Sequence, residues 1–501
     1  MNNYNSYIMQ PSLAEKTSQR LLAELRSGRY AVDQPLPAVR DWARKFRVSA
    51  FTVHRALNDL KKRGIVESTE GSYTFLRAIP TEQQLAARPA GPVRISMWAN
   101  DRKDFWKLRA AIVRQRFQSQ FHQRHPHVEF DVQQVERRAS EVEMMLVQSV
   151  VSGPEPTFAG TNQTCVPFLA EHGALAAIDE TDGYVSQIKP RYREAFRVNG
   201  RLLAVPTGAT HTMLLYHKGL FQKAGLERPP RDWQELADCA QRISAVDGGR
   251  PSLHVAGPGS AVLWLMHLVC QALPARDGDR VSAFTWTSAA ARAAIQHFVE
   301  LHSTRRVLSL HERELATLIP RCLAGEFAML VGEWGSVAQI ALMKQTDRFG
   351  IAPLPVGPNG RTISLMNCGG WFVNAHGSPE QQAAATEYAV AWEQWLHRGE
   401  GGNLMRRLGG APRLVSVLED PAADQFVAKE LPADWQATVD QLEATALWEP
   451  VEADWKKLAL GRALEELLGD DEPLSAERVM HAFDLREHEA GFGELIPPLV
   501  G

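Results

Sequence analysis

The sequence predicts a multidomain chain, with an N-terminal winged helix-turn-helix followed by a two-lobed α/β body. Three observations predict it. Three short amphipathic helix patterns and a hairpin pattern fill the first eighty residues, a Pro-, Gln- and Ala-rich stretch follows, and strand and helix patterns then alternate to about residue 490. The chain has 501 residues, too many for one hydrophobic core. The expected parts are a DNA-binding domain at 1–79, a linker at 80–92 and a body at 93–501.

The first helix carries Leu13, Thr17, Leu21 and Leu25 on one stripe and stops at Gly28, the usual residue just past a helix end. The second opens at Pro37, a favoured first-turn residue, and spaces Val39, Trp42, Ala43 and Phe46 along one apolar face. The third opens at Ser49, a good N-cap, places Val53, Ala56, Leu57 and Leu60 on one face and stops at Gly64. Only Arg47-Val48-Ser49 separates the second helix from the third, the short connection of a helix-turn-helix. Ile65–Ser68 and Tyr73–Leu76 flank a Gly-containing turn and predict a hairpin, the wing.

The third helix shows Ser49, Ala50, Phe51, Thr52, His54, Arg55 and Asn58 outward, and the start of such a helix reaches base edges in a major groove. Arg40, Arg44 and Lys45, with Lys61, Lys62 and Arg63, are placed to meet phosphates. Residues 1–80 hold 13 Lys and Arg against 7 Asp and Glu, a net of +6, and the remainder has a net of −9. A basic head on an acidic body suits a head that approaches phosphates.

Composition excludes several classes. A hydrophobic fraction of 45% and a charged fraction of 23% are those of an ordinary globular protein. Cys165, Cys239, Cys270, Cys322 and Cys368 include no C-x-x-C pair, so buried free thiols in a reducing compartment are expected, with neither zinc nor disulfides. Met1–Gln10 is polar, and the longest apolar run, Ala261–Leu273, is interrupted by His267 and too short to span a bilayer. The expectation is a cytoplasmic chain with no membrane partner. No phosphate-loop, nucleophile-elbow or zinc-protease motif occurs, so no catalysis, cofactor or metal is expected. His122, His125 and His127 read as a solvated turn.

Residues 13–76 resemble the DNA-binding domain of GntR-type regulators. The residues that carry the likeness are Gly28, Pro35 to Arg40, Val48-Ser49, Thr52 to Leu57, Leu60 and Gly64. The resemblance implies that Arg40 and the start of the third helix touch DNA. The chain departs from the family at Ala50, where an Arg is common, and at Tyr73, where the wing has a second Gly.

Residues 93–490 resemble the sugar-type extracellular solute-binding proteins of bacterial ABC importers. The strongest run is Asn199 to Leu202, Val205-Pro206, Leu215 to Lys218, Leu220-Phe221, Ala224 to Leu226, Pro230 and Trp233 to Leu236. Gly325 to Met329 with Gly332 and Trp334, Phe349 to Pro355, and Gly369 to Trp371 add to it. The resemblance implies a periplasmic-binding-protein-like (type II) body, two α/β lobes that close around a ligand.

A sugar needs aromatic platforms and a few hydrogen-bonding groups in a concave pocket. Trp98 with Asn100 and Asp101, and Trp334 with Glu333, follow strands, where ligands sit in α/β sheets. Trp371 follows the Gly369-Gly370 pair, where backbone can approach a ligand closely. Thr161-Asn162-Gln163, His211 and Trp264 are further candidates, whereas Trp42, Trp233 and Trp395 lie in helix patterns and read as packing. Together the two resemblances imply a homodimeric, ligand-responsive regulator of double-stranded operator DNA, with a sugar as effector. The alternatives are a solute-capture protein feeding a transporter, a regulator sensing a non-sugar ligand, and a carbohydrate-active enzyme.

Overall fold

The computed structural model describes residues 13–489 except 49, 63, 69–73, 78–92, 100–104, 136–145, 148, 256, 274–284, 311–314, 409–412, 414, 429–430 and 450–452. Contacts divide the chain into two units, Met1–Pro92 and Val93–Gly501. Ser49, Asn100, Asp101 and the whole of the expected linker therefore lie outside the described residues.

In the head, α1 (Leu13–Arg26), α2 (Val39–Phe46) and α3 (Ala50–Lys62) precede an antiparallel pair, β1 (Val66–Ser68) and β2 (Thr74–Leu76). The apolar stripes converge as their spacing requires. Leu21, Leu25, Trp42, Phe46, Val53, Leu57 and Leu60 share one core with Ile65 and Leu76. Trp42 stacks on Phe46 at 5.3 Å, and removing a ring buried in this way costs about 3–5 kcal/mol. α2 begins at Val39 rather than Pro37, because Ala38 is still extended. It ends at Arg47, whose left-handed backbone (φ 55°) turns its N–H back onto the carbonyls of Ala43 and Arg44.

The body contains β3 (Val93–Ala99), β4 (Val128–Gln134), β5 (Phe158–Asn162), β6 (Arg197–Val198), β7 (Arg201–Leu202), β8 (Val205–His217), β9 (Leu253–Val255), β10 (Leu308–Leu310), β11 (Met329–Glu333), β12 (Phe349–Ala352), β13 (Ser364–Val373) and β14 (Ala446–Trp448), with helices between them. The main sheet runs β10–β9–β11–β8–β13–β14, with β12 also on β8 and β5 also on β13. Strand–helix alternation predicts parallel neighbours, and β3–β4, β9–β10, β9–β11 and β13–β14 are parallel. β8 departs from that rule, being antiparallel to β11, β12 and β13.

β8 and β13 each serve more than one core. Val205 and Ala209 of β8 enter a first core with Phe117, Phe158, Tyr388 and Trp392, whereas Leu214 enters a second with Trp264, Phe298 and Phe483. Met213 and Leu215 face a third cluster with Phe327, Phe349 and Trp435. β13 likewise sends Leu365 into the second core and Met366, Cys368 and Phe372 into the first. The two strands are the shared connection between the lobes. In the first lobe, Phe117 meets Tyr388 and Trp392 edge-on, each at 5.2 Å, a geometry worth about 0.5–1.5 kcal/mol per pair beyond burial. All five cysteines are buried and free, and burial pushes the Cys322 and Cys368 thiols up to about 12.

Candidate nucleic-acid interface and ligand site

Burying Trp42 and Phe46 against α1 and α3 leaves the opposite side of α2 in water. Arg40 and Arg44 stand there, exposed; Arg44 makes only a loose 3.5 Å pair with Asp41. Burial of Val53, Ala56, Leu57 and Leu60 likewise leaves Ala50, His54 and Asn58 of α3 exposed and Thr52 half-buried. Phe51 and Arg55 lie on the same helix, but their side chains are outside the described residues. Lys45 is a correction. Its ammonium is 2.7 Å from Glu24 and 5.3 Å from the Trp42 ring, so it ties α2 to α1 instead of pointing to a phosphate. That hydrogen bond is the main reason the Glu24 carboxyl sits below its ordinary value.

In the body, strand register sorts the candidates. Residues directly opposite on paired strands share a face, and neighbours along a strand alternate. Thr210 pairs with Asn367, and Gly208 with Gly369, across β8 and β13. Gly369 pairs with Asn162 on β5, and Thr212 pairs with Glu333 on β11. Asn162, Gly208, Thr210, Thr212, Glu333 and Asn367 therefore form one polar, small-residue band across the strands that join the lobes. Leu214 and Leu365, further along the same face, enter the second core.

The band holds polar atoms with no internal partner. The Thr212 hydroxyl and Gln163 Nε2 are buried without a hydrogen bond among the described residues, although Gln163 Oε1 accepts the Cys368 N–H at 2.7 Å. Buried polar groups are nearly always satisfied, so such atoms call for a bound water or ligand. The helix Trp334–Leu342 starts at the band, and the Trp334 N–H donates to Thr210 Oγ1 at 3.3 Å.

Several expected ligand residues are elsewhere. Trp264 is 1% exposed in the second core, edge-on to Phe298; it packs and has no open face. His211 is next to Thr210 and Thr212, so alternation turns it to the other side. There it is fully buried, with Nε2 2.9 Å from Glu443 Oε1. A Cβ on Gly370 would fall 2.5 Å from the Phe196 ring, so the close approach there is made by a core side chain and not a ligand. Trp371 stacks on Phe158 at 4.9 Å and donates Nε1–H to Glu393 at 2.5 Å, which commits both ring and donor. Trp334 is 5% exposed, with its indole in the third cluster. Trp98 is half-buried near the end of β3 against the first core.

Sequence reasoning missed Thr210 and Thr212, although Gly208, Thr210 and Thr212 at period two in an apolar strand are a readable signal. It also missed Arg413, which carries no local signal. Arg413 donates to Glu393 Oε2 at 2.9 Å and to His397 Nε2. His397 Nδ1 lies 2.6 Å from Asp424, which also accepts from Ser416 Oγ at 2.7 Å. Trp371, Glu393, Arg413, His397, Asp424 and Ser416 thus form one buried chain of hydrogen bonds. Burial pushes the Glu393 carboxyl up, but the charge of Arg413, with His397 and the Trp371 N–H, holds it below its ordinary value. Among the described residues no group of three or more His, Cys, Asp or Glu is arranged to hold a metal ion, and no helix is long and apolar enough to cross a membrane.

Comparison with known proteins agrees with this two-part build. Residues 13–76 match the gntR family of bacterial regulatory proteins, and residues 108–396 match the bacterial extracellular solute-binding proteins. The second match spans more than half of the chain, which belongs to the solute-binding protein family and carries a gntR-family domain at its N-terminus. A "Probable amino-acid ABC transporter periplasmic-binding protein" of Sinorhizobium fredii is 25% identical over 233 residues, 45% of this chain and 50% of the relative. The transcriptional repressor NagR of Bacillus subtilis is 33% identical over 67 residues, 13% of this chain and 28% of that one. The chain thus spans half the length of the first relative and less of the second. Maltose-bound MalE3 of T. maritima superposes with a TM-score of 0.62 at 19% identity, covering 79% of this chain and 99% of that one. A chitin oligosaccharide binding protein gives 0.61 at 16% identity, covering 80% and 99%. The body has the fold of these sugar-binding proteins.

Proposed function

We propose that the protein is a ligand-responsive transcription regulator. Its head, with β1 and β2 as the wing, binds double-stranded operator DNA, and its body senses a carbohydrate in the cytoplasm, where the DNA is. The observation that carries this reading is the joining of a gntR-family domain to a solute-binding body in one chain. A maltose-bound structural neighbour and another named a chitin oligosaccharide binding protein support the sugar. The polar band between the lobes is the proposed ligand contact, and closure around it is the proposed signal. A ligand shifts DNA affinity only by its differential binding to two conformers. Two heads on a pseudo-symmetric operator, from a homodimer, would supply the contacts that one head lacks. The reading is of a binding protein rather than an enzyme.

The test combines two measurements on purified protein. Fluorescence anisotropy with labelled duplex DNA reads the head. Thermal shift with mono- and oligosaccharides reads the body, since a ligand that binds only the folded form raises its melting temperature. A second reading, solute capture for a transporter, is favoured by the periplasmic-binding relatives. Cell fractionation separates the two, because an exported chain cannot regulate. A non-sugar ligand, such as an amino acid, is the third outcome of the thermal-shift screen.

A further inference from the structure

We infer that Arg47, in the turn between α2 and α3, is a DNA-contacting residue that joins Arg40 and Arg44 in meeting the phosphates beside the groove that α3 enters. The inference rests on the reading of the head as a duplex-binding module.

Among the described cations of the head, Arg29 and Lys45 are tied to Glu24, Arg77 to Glu67 and Asp33, and Arg20 to the Phe46 carbonyl; these contacts hold the fold. Lys61 is exposed in the last turn of α3. Arg40 and Arg47 are exposed, and neither has an ion pair or a side-chain hydrogen bond among the described residues. Arg44 keeps only its loose contact with Asp41 and is 82% exposed.

Arg40 and Arg44 are spaced i and i+4 on α2, on one face that points away from the buried rings of Trp42 and Phe46. Arg47 follows α2 directly, in the turn that leads into Ala50, the first residue of α3. Ala50 carries no long side chain, and the described cation nearest to it in sequence is Arg47.

The backbone adds a second observation. Arg47 has φ 55° and ψ 48°, a left-handed conformation that glycine adopts freely and a side chain adopts at a cost. Strained non-glycine residues persist where a function requires their side chain. Arg306 and Lys344 are also left-handed in the body, and a cation near a helix carboxyl end is favourable by itself. That attraction accounts for a positive charge at 47. It does not account for a side chain that keeps no ion pair among the described residues, in the turn that leads into α3.

The two explanations give opposite signs in one variant. Arg47→Gly relieves the backbone strain, so amide hydrogen exchange across α2 and α3 of the full chain slows. If Arg47 meets a phosphate, the same variant binds a 30-base-pair mixed-sequence duplex several-fold more weakly. The slope of log affinity against log salt then falls by about one per head, and Arg47→Lys restores most of both. Unchanged affinity and slope in Arg47→Gly overturn the inference and leave Arg47 as a helix terminator. Failure of the unaltered chain to retain the duplex at low salt instead removes the DNA-binding reading, and this inference with it.

Discussion

The side chain of Arg413 lies across the backbone of Gly208, so near that a Cβ at 208 would fall 2.6 Å from Nε and 2.7 Å from Cδ. Gly208 belongs to the polar band of β8, and Arg413 is anchored on Glu393 and His397 of the helix Pro379–Arg398. Gly208→Ala must therefore displace the Arg413 arm and strain or break its pair with buried Glu393. Breaking a buried pair of this kind costs about 3–5 kcal/mol. The expected outcome is a lower midpoint in urea with little change in slope. An unaltered midpoint contradicts the contact.

Acid should weaken the body in two stages. Burial lowers the His267 imidazole from 6.5 to about 3 and the His297 imidazole to about 4. As pH falls below 6.5 the unfolded chain takes up these protons first, so stability drops between pH 6.5 and the folded values. For His267 this amounts to at most about 5 kcal/mol. Glu393, Asp424 and Glu443 act in the same direction at lower pH. Burial raises each, but Arg413 at Glu393, and His397 and His211 at Asp424 and Glu443, hold them below their ordinary values of 4.5, 3.8 and 4.5. Their contribution is complete above those values and is lost as pH falls through and beneath them. His267→Leu should flatten the upper stage and leave the lower one, as read from denaturation midpoints between pH 7 and 3. An upper stage of unchanged steepness places its origin elsewhere.

The difference between packing and contact residues decides the next prediction. Trp371→Ala removes a ring stacked on Phe158 and a donor to buried Glu393. It should destabilise the body by about 3–5 kcal/mol whether or not ligand is present. Thr212→Val keeps the shape and deletes a band hydroxyl that has no hydrogen bond among the described residues, and Glu333→Gln deletes one charge. These two should leave the melting temperature without ligand nearly unchanged while reducing the shift given by a sugar that stabilises the parent. Full ligand shifts in both variants remove the band from the site.

Much of the fold was legible because helix and strand periods are local. The stripe through Val39, Trp42 and Phe46 and that through Val53, Leu57 and Leu60 specify the head core. Turning β8 to the correct face required the register with β13, which depends on Met366 meeting His211 across 155 residues of chain. Without it, His211 read as a site residue and Thr210 did not. Tryptophans were read by residue type, and only packing separates Trp264 and Trp371, which serve cores, from a ligand platform. Lys45 failed for a similar reason: Glu24, twenty-one residues earlier, captures it. The Arg413 chain joins three distant segments, so no sequence window contains it.

The head makes the last prediction. Arg40 is exposed near the amino end of α2, with no competing acid bound to it among the described residues. A phosphate contact at this position carries affinity but no base information. Arg40→Ala should therefore weaken binding to every duplex by a similar factor and lower the salt slope by about one per head. The melting temperature and any ligand shift of the body should stay as they are, since Arg40 belongs to the head unit. Arg55 sits on α3, so Arg55→Ala should instead narrow the gap between operator and random duplex, each lost base contact being worth about 1–3 kcal/mol of discrimination. Anisotropy titrations of both single variants and of the pair, at two salt concentrations, read these effects separately. A double variant that binds the operator like the parent would show that α2 and α3 dock by other residues.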